Sequence, residues 1–360
     1  MTAEKNTANS NSSGYMFGVD RGGTFTDIVA WLPDGQLVST KVLSNQEGVH
    51  QDAAIIGIRR ILQENGADLT EDAPIEAVRM GTTVGTNALL EHTGEAVALL
   101  VTTGCRDVLH IGYQNRPRLF DLNIVLPNDL YDTVIEVDER IGVDGEVIQP
   151  LNLDAVRTQL KELRSKGYRS CAVAFMHSYR YPDHEKAVAA MAYELGFDHV
   201  AMSHDCSGLI KYVARADTAV VDANLTPLLR NYVGGLQQSL GDVPLKFMQS
   251  NGGLIDANDF RGKDCVLSGP AGGIVDAVDI CRSAGFNRII GFDMGGTSTD
   301  VTHYAGEFER NPETEIAGVR IRVPAMAIHT VAAGGGSILS ENGGAKVVHG
   351  SGGISLLRAA

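Results

Sequence analysis

Apolar and polar residues alternate along "TFTDIVAWL" (24–32), which predicts a half-buried strand, and the β-prone run "YMFGVD" (15–20) predicts another before it. "RGG" separates the two and "PDG" turns the chain again, so the segment reads as a β-hairpin with a Gly-Gly tip. The pattern returns late in the chain as "RIIGFD", "MGG" and "TSTDVTHY", which predicts a second hairpin of the same build. Between them, "VRMGTTVGTNALLEHTGEAVALLVTTG" reads as strand, Thr-rich turn, helix over 84–91, then strand. Helical spacing marks 47–65, 153–167 and the passage following "HSYRYPD", and a long helical passage runs from about 204 to 236. Strands alternating with helices over 15–196 predict an α/β region, with a second unit over 197–360 and a polar, unstructured tail over 1–14.

The hairpins repeat in letters as well as pattern. "GVDRGGTFTD" and "GFDMGGTSTD" agree at seven of ten positions: Gly18, Asp20, Gly22, Gly23, Thr24, Thr26 and Asp27 against Gly291, Asp293, Gly295, Gly296, Thr297, Thr299 and Asp300. An offset of 273 residues is too long for a solenoid and suits a duplicated, two-lobed protein whose halves close on one ligand.

Composition narrows the ligand. With 360 residues, 44% of them hydrophobic, the chain has the material for about two domains. A formal charge of −14 opposes nucleic-acid backbones and anionic membranes, so neither is an expected partner. A local nucleotide site remains open, because backbone amides and a divalent cation hold phosphate without a basic patch. The five scattered cysteines form no C-x-x-C pair, and no apolar run approaches the ~20 residues that span a bilayer, so a reducing, cytoplasmic location is expected.

Glycine at a hairpin tip permits φ > 0 and leaves no Cβ between converging amides and an anion. Threonine hydroxyls add donors. Asp20 and Asp293, at the ends of the incoming strands, would repel phosphate unless a cation such as Mg²⁺ lies between. Thr82 or Thr83 is expected to cap the 84–91 helix, and with Asn87 forms a secondary candidate group. "SGPAGG" (268–273), just before a helical run, is expected to serve close packing. Gly334, Gly335 and Gly336 of "AAGGGS" are expected to line the nucleotide, since they lack dinucleotide-motif spacing. His110, His204, His303 and His329 are read as hydrogen-bonded structural residues, and Asp138, Glu139 and Arg140 as solvated charge pairs.

The paired motifs resemble the phosphate hairpins of the actin, hexokinase and Hsp70 superfamily. With "MGTTVGTNALLEHTG", "RPRLFDLNI", "SNGG", "SGPAGG" and "HTVAAGGGSI", the chain is similar to the hydantoinase A and ATP-dependent 5-oxoprolinase family. That resemblance implies an α/β, ribonuclease H-like two-lobed ATPase fold whose second lobe is incomplete here. It implies ATP and Mg²⁺ as cofactors, Asp20 and Asp293 as catalytic residues, and Asp20, Asp293 and Asp300 as metal-organising residues. Gly22, Gly23, Thr24, Thr26, Gly295, Gly296, Thr297 and Thr299 would surround the phosphates, and Arg116 and Arg118 would be available to a substrate carboxylate. Three activities stay open: ATP-dependent hydrolysis of a cyclic amide such as 5-oxoproline or a hydantoin, a carboxylase subunit, and a non-catalytic nucleotide-binding module. A hydantoinase B-type subunit or a second copy is the expected partner.

Overall fold

The computed structural model describes residues 14–45, 51–69, 74–114, 120–124, 126, 128–295, 299–316, 318–331, 334–335, 337–342 and 346–351. The first described half runs β1 (Tyr15–Arg21), β2 (Phe25–Trp31), β3 (Leu37–Leu43), α1 (Ala53–Glu64), β4 (Ile75–Thr82), α2 (Val84–Glu91), β5 (Val97–Thr102) and α3 (Val108–Ile111). It continues through β6 (Thr133–Val137), the short hairpin β7 (Arg140–Ile141) and β8 (Val147–Gln149), α4 (Leu153–Ser165), β9 (Ser170–Ala174), α5 (Asp183–Glu194), β10 (His199–Met202) and α6 (Ser203–Cys206). The second half contains α7 (Tyr212–Leu240), β11 (Leu245–Met248), β12 (Leu254–Asp256), α8 (Gly262–Cys265), α9 (Ser268–Ser283), β13 (Ile289–Met294) and β14 (Thr299–Tyr304). Short strands follow: β15 (Arg310–Asn311), β16 (Thr314–Ile316), β17 (Val319–Ile321), β18 (Ala325–Met326), β19 (Ile328–Val331), β20 (Ser337–Asn342) and β21 (Lys346–Ser351).

The first sheet has the order β12-β11-β4-β1-β2-β3. β1 lies parallel to β4 and antiparallel to β2, and β4 lies parallel to β11. Alternation along β1 sends Tyr15, Phe17 and Val19 into one core with Ile55, Ile58 and Ile61 of α1. The chain beyond residue 196 therefore returns to this lobe, supplying two strands of its sheet. The second sheet, β10-β9-β5-β6, is wholly parallel and carries one apolar core on each face, which explains the uninterrupted burial of β5 and β9.

Helix α7 joins these two sheets. Its Ala216, Ala219 and Val220 pack on β5 and β9, while Leu225, Leu229 and Leu236 enter the core of the first sheet. Pro227 sits inside this helix and has no N–H to give the carbonyl oxygen of Ala223. Ser170 Oγ donates to that oxygen at 2.6 Å, so a strand hydroxyl satisfies the acceptor left by the proline.

The third sheet, β13-β14-β19, packs one face on α9 through Ile274, Val278, Tyr304 and Ile328. The repeat is a repeat of register: Asp20 pairs with Asp27 and Gly18 with Val29, and 273 residues on, Asp293 pairs with Asp300 and Gly291 with Thr302. Burial is not repeated. Phe17 and Val19 are 2% and 4% exposed, whereas Ile290 and Phe292 at the equivalent positions are 75% and 66% exposed.

α9 begins at Ser268, so "SGPAGG" forms its first turns instead of preceding it. Pro270 is tolerated there because the first helical turn has no intrahelical acceptor for its missing N–H. No helix among the described residues is long and apolar enough to cross a membrane.

Candidate phosphate site between two hairpins

The turn of the first hairpin is held from below. Gly22 N–H donates to the Phe25 carbonyl at 3.0 Å, Ser44 N–H to the Thr24 carbonyl at 2.9 Å, and Ser44 Oγ to the Gly22 carbonyl at 2.7 Å. Thr26 Oγ1 lies 2.9 Å from Ser44 Oγ, and the residue is fully buried. Its hydroxyl is spent on the turn's support, so the structure corrects its expected place among phosphate contacts. Thr299, its counterpart, is buried as well.

The expected positive φ is absent from the tip of the first hairpin: neither Gly22 nor Gly23 adopts one. Glycine is needed for close approach. A Cβ on Gly22 would stand 2.8 Å from the Phe25 carbonyl oxygen, and one on Gly23 would stand 3.4 Å from Asn87 Nδ2. Asn87, on α2, therefore lies directly against the turn.

The Thr-rich segment reaches the same place. Thr83 N–H and Oγ1 both donate to the Arg21 carbonyl, at 3.0 and 3.2 Å, and Asn87 Nδ2 lies 3.4 Å from Thr83 Oγ1. Val84 N–H donates to the Thr82 hydroxyl at 3.2 Å, while Thr83, at the N-cap position, makes no side-chain cap bond and instead ties the helix start to β1. Thr82, Thr83 and Asn87 are thus brought to the first hairpin. Behind it, Arg21 Nε pairs with Asp52 at 3.2 Å and its guanidinium lies over Tyr232.

Asp20 stands where the lobes meet. Cβ atoms on Gly81 and on Gly269 would each lie 3.4 Å from its Oδ1, so two glycines, one at the end of β4 and one in the first turn of α9, make its room. Ser268 Oγ fixes that contact by donating to the Thr82 carbonyl at 2.8 Å. The Asp20 side chain keeps solvent contact, yet the surrounding walls exclude much of its water. Burial raises its carboxyl above the usual range, and the negative fields of Asp27 and then Asp293 add to this, against a lowering by Lys41.

In the second hairpin, burial also raises Asp300, which accepts from Thr330 Oγ1 at 2.6 Å, and Asp293 again contributes repulsion. Gly335 N–H donates to the Gly295 carbonyl at 2.9 Å, which brings the "AAGGGS" segment onto this turn. Gly334 is close by in sequence, while Gly296, Thr297 and Gly336 lie outside the described residues, as do Arg116 and Arg118.

Carboxylates within one another's field, with the Gly22–Gly23 turn beside Asp20, fit a phosphate-bound divalent cation. Among the described residues, no three His, Cys, Asp or Glu side chains gather to hold a metal alone. A Mg²⁺ here would draw most of its oxygens from water and phosphate, its ordinary habit.

Elsewhere, Glu139 corrects an expectation of solvated charge. It is buried, accepts from Thr102 Oγ1 and lies 2.7 Å from His184 Nδ1, pinning the start of α5 to the end of β5. His110, His204 and His303 each bond a carboxylate, Asp129, Glu185 and Glu309 respectively. Gly269 makes the close approach expected of "SGPAGG", whereas Ser44 and Gly81 support the site without being among the expected site residues. A glycine inside a predicted strand was the available signal for Gly81.

Parallel sheets covered by helices, a duplicated hairpin and two aspartates within each other's field define a mixed α/β protein. Residues 16–196 match the hydantoinase/oxoprolinase N-terminal region and residues 215–357 match the hydantoinase/oxoprolinase domain; the chain belongs to this family. It is 45% identical to 5-oxoprolinase 1 of Arabidopsis thaliana over 91% of its own length, and 42% identical to 5-oxoprolinase of Dictyostelium discoideum over 90%. Those matches cover 28% and 29% of the relatives, so the chain spans less than a third of their length. Caprolactamase subunit alpha of Pseudomonas jessenii is 31% identical, with 48% of its length covered. The crystal structure of the ATP-dependent caprolactamase from Pseudomonas jessenii superposes with a TM-score of 0.81 at 30% identity, covering 94% of this chain and 51% of that one. Nucleotide-free acetone carboxylase shares the fold, with a TM-score of 0.77 at 22% identity over 93% of this chain and 50% of that one.

Proposed function

We propose that this chain forms the ATP-binding part of an enzyme that hydrolyses a small cyclic amide, with 5-oxoproline or a hydantoin as substrate. The observation that carries this is the duplicated register, which sets Asp20 and Asp293 at matched positions on the two hairpins, within each other's electrostatic field. Similarity to 5-oxoprolinases and to a caprolactamase subunit supports the choice of reaction.

ATP would supply the γ-phosphoryl group to the ring's carbonyl oxygen, releasing ADP and making the carbonyl carbon electrophilic; one water would add there and the C–N bond would break to leave the ring nitrogen protonated and an acyl phosphate, and a second water would split that into phosphate and the free carboxylate. The chain's own contribution is positional and electrostatic. The turn amides of Gly23 and Gly295 would face phosphate oxygens, the Gly22 amide being held by the Phe25 carbonyl, and Asp20 and Asp293 would orient Mg²⁺. Thr83 and Asn87 would hold the first turn in place. A hydantoinase B-type partner and a cytoplasmic setting belong to the same reading.

Calorimetry with ATP and Mg²⁺ tests it, together with product assays on 5-oxoproline, hydantoin and caprolactam. Binding should require Mg²⁺ and disappear in Asp293→Ala. ATP affinity unchanged by Asp20→Ala and Asp293→Ala in folded protein would overturn the reading.

A further inference from the structure

The aspartate of each hairpin opens a row that crosses three strands. Asp20 pairs with Asp27 and Asp27 with Lys41 of β3, while Asp293 pairs with Asp300 and Asp300 with Thr330 of β19. Residues directly opposite one another carry their side chains to the same face, so each row is one line of groups on one side of its sheet. The rows differ at the third position. A cation closes the first and a hydroxyl closes the second.

Both third residues hold the middle aspartate. Thr330 Oγ1 donates to Asp300 at 2.6 Å, and Lys41 Nζ donates to Asp27 Oδ2 at 2.6 Å. The Lys41 ammonium also lies 5.3 Å from the centre of the Phe25 ring. Phe25 is 46% exposed, and the repeated motif has Ser298 in its place, so the first hairpin carries an aromatic ring and a cation together where the second carries neither. Ring and carboxylate mount the ammonium on the face that carries Asp20.

That mount holds Lys41 without exhausting it. An ammonium has three donors, and Asp27 takes one of them. Both partners of the bridge stand in solvent, where such pairs hold weakly. The face beside the row is open as well: a Cβ on Gly18, two residues before Asp20, would meet only the Val29 carbonyl oxygen at 4.0 Å, whereas one on its counterpart Gly291 would stand 2.3 Å from Thr302 Oγ1.

Asp20 already lies in the fields of Asp27 and Asp293, against which Lys41 acts. A triphosphate brings in more negative charge than one Mg²⁺ removes, so the first row needs a further cation once ATP is bound. Lys41 stands level with Asp20, the residue proposed to orient a metal that bridges the leaving and the transferred phosphates. We infer that Lys41 is a further catalytic residue, its ammonium passing from Asp27 to an oxygen of the phosphoryl group that ATP gives up, a role that rests on the ATP site proposed above. Lys41 keeps its protons and forms no covalent bond. Phosphorus exchanges the ADP oxygen for the ring's carbonyl oxygen, while the ammonium hydrogen-bonds one of the equatorial oxygens that carry the charge.

Calorimetric titration of the 360-residue chain with ATP and with ADP, each with Mg²⁺, tests this without turnover. Lys41→Met should weaken ATP about tenfold, the worth of one charge-assisted hydrogen bond, and ADP by less than about twofold. The melting temperature without ligand should hardly move, because the lost bridge is exposed. Asp27→Asn removes the competing acceptor and should leave ATP bound as tightly or more so. The double variant Asp27→Asn/Lys41→Met should bind ATP as weakly as Lys41→Met alone. An unchanged preference for ATP over ADP in Lys41→Met overturns the inference, and so does ATP affinity restored in the double variant, which would make Lys41 only a neutraliser of Asp27. Binding lost in Asp20→Ala and Asp293→Ala but unaffected by Lys41→Met would sink the lysine's role and keep the ATP site. No ATP binding, or affinity indifferent to both aspartates, would sink both.

Discussion

Gly335 donates its N–H to the carbonyl oxygen of Gly295 at 2.9 Å, and so anchors the glycine-rich segment after β19 to the turn of the second hairpin. A Cβ on Gly335 would lie 3.7 Å from that oxygen, an ordinary contact, so Gly335→Ala should be tolerated. Gly335→Pro removes the donor. ATP-Mg affinity should fall by about fivefold, the worth of roughly one net hydrogen bond, with little change in melting temperature. Paired calorimetry and thermal melts on the two variants check this.

Asp20 trades stability for charge placement. Its folded-state pKa is raised, chiefly by burial and then by Asp27 and Asp293, so the carboxylate opposes folding once pH rises above its ordinary value. Stability at this position is fullest below that ordinary pKa, near ~4, and declines as pH rises through the higher folded value. Asp20→Asn should therefore melt higher than the parent at neutral pH without Mg²⁺. It should also lose the rise in melting temperature that ATP and Mg²⁺ give the parent. A lower melting point without ligand, or a retained ligand shift, would count against this account.

Ser170 and Pro227 form a compensating pair. Ser170→Ala leaves the buried Ala223 carbonyl without the donor that replaces the helix's missing N–H, and should cost about 1–3 kcal/mol in urea unfolding. Adding Pro227→Ala restores an N–H at the right position in the helix, so the loss in the double variant should be smaller than the sum of the single effects. Strict additivity would show that the hydroxyl has some other role.

Asp217 gives the cavity between α3, α7 and the β16–β17 hairpin a pH signature. Burial, helped by the smaller fields of Asp129 and Glu313 and opposed by the charge and hydrogen bond of Arg320, leaves its carboxyl raised to about 6. Tyr113, Tyr131 and the His110–Asp129 pair face the same space. Because the folded state holds this proton more tightly than the unfolded state, stability from this group falls as pH rises between about 4 and 6. Asp217→Asn should flatten that part of the stability profile, as measured by denaturant unfolding at successive pH values. An unchanged slope would rule out Asp217 as its source.

The sequence carried much of the local structure because hairpins and short helices depend on neighbours in the chain. The helix over Val84–Glu91 ends where the spacing put it, and both hairpins stand at their repeated strings. Thr26 was legible as a β-prone residue in a phosphate-like motif, but its burial was not. Its hydroxyl turns toward Ser44, a residue 18 positions away whose approach depends on β3. Glu139 looked like surface charge for the same reason: Thr102 and His184, which bury it, are 37 and 45 positions distant.

By itself, the sequence determined that the same strand-turn-strand register occurs twice and that an aspartate ends each incoming strand, since period-two alternation and glycine turns are local properties. Only the tertiary structure decided what those strands face. Phe17 is covered by α1 while its counterpart Ile290 stays in solvent, and Asp20 meets Gly81 and Gly269 from segments 61 and 249 residues away. Burial and electrostatic fields depend on distance in space, and the close approach of β4 and α9 to β1 sets both at Asp20.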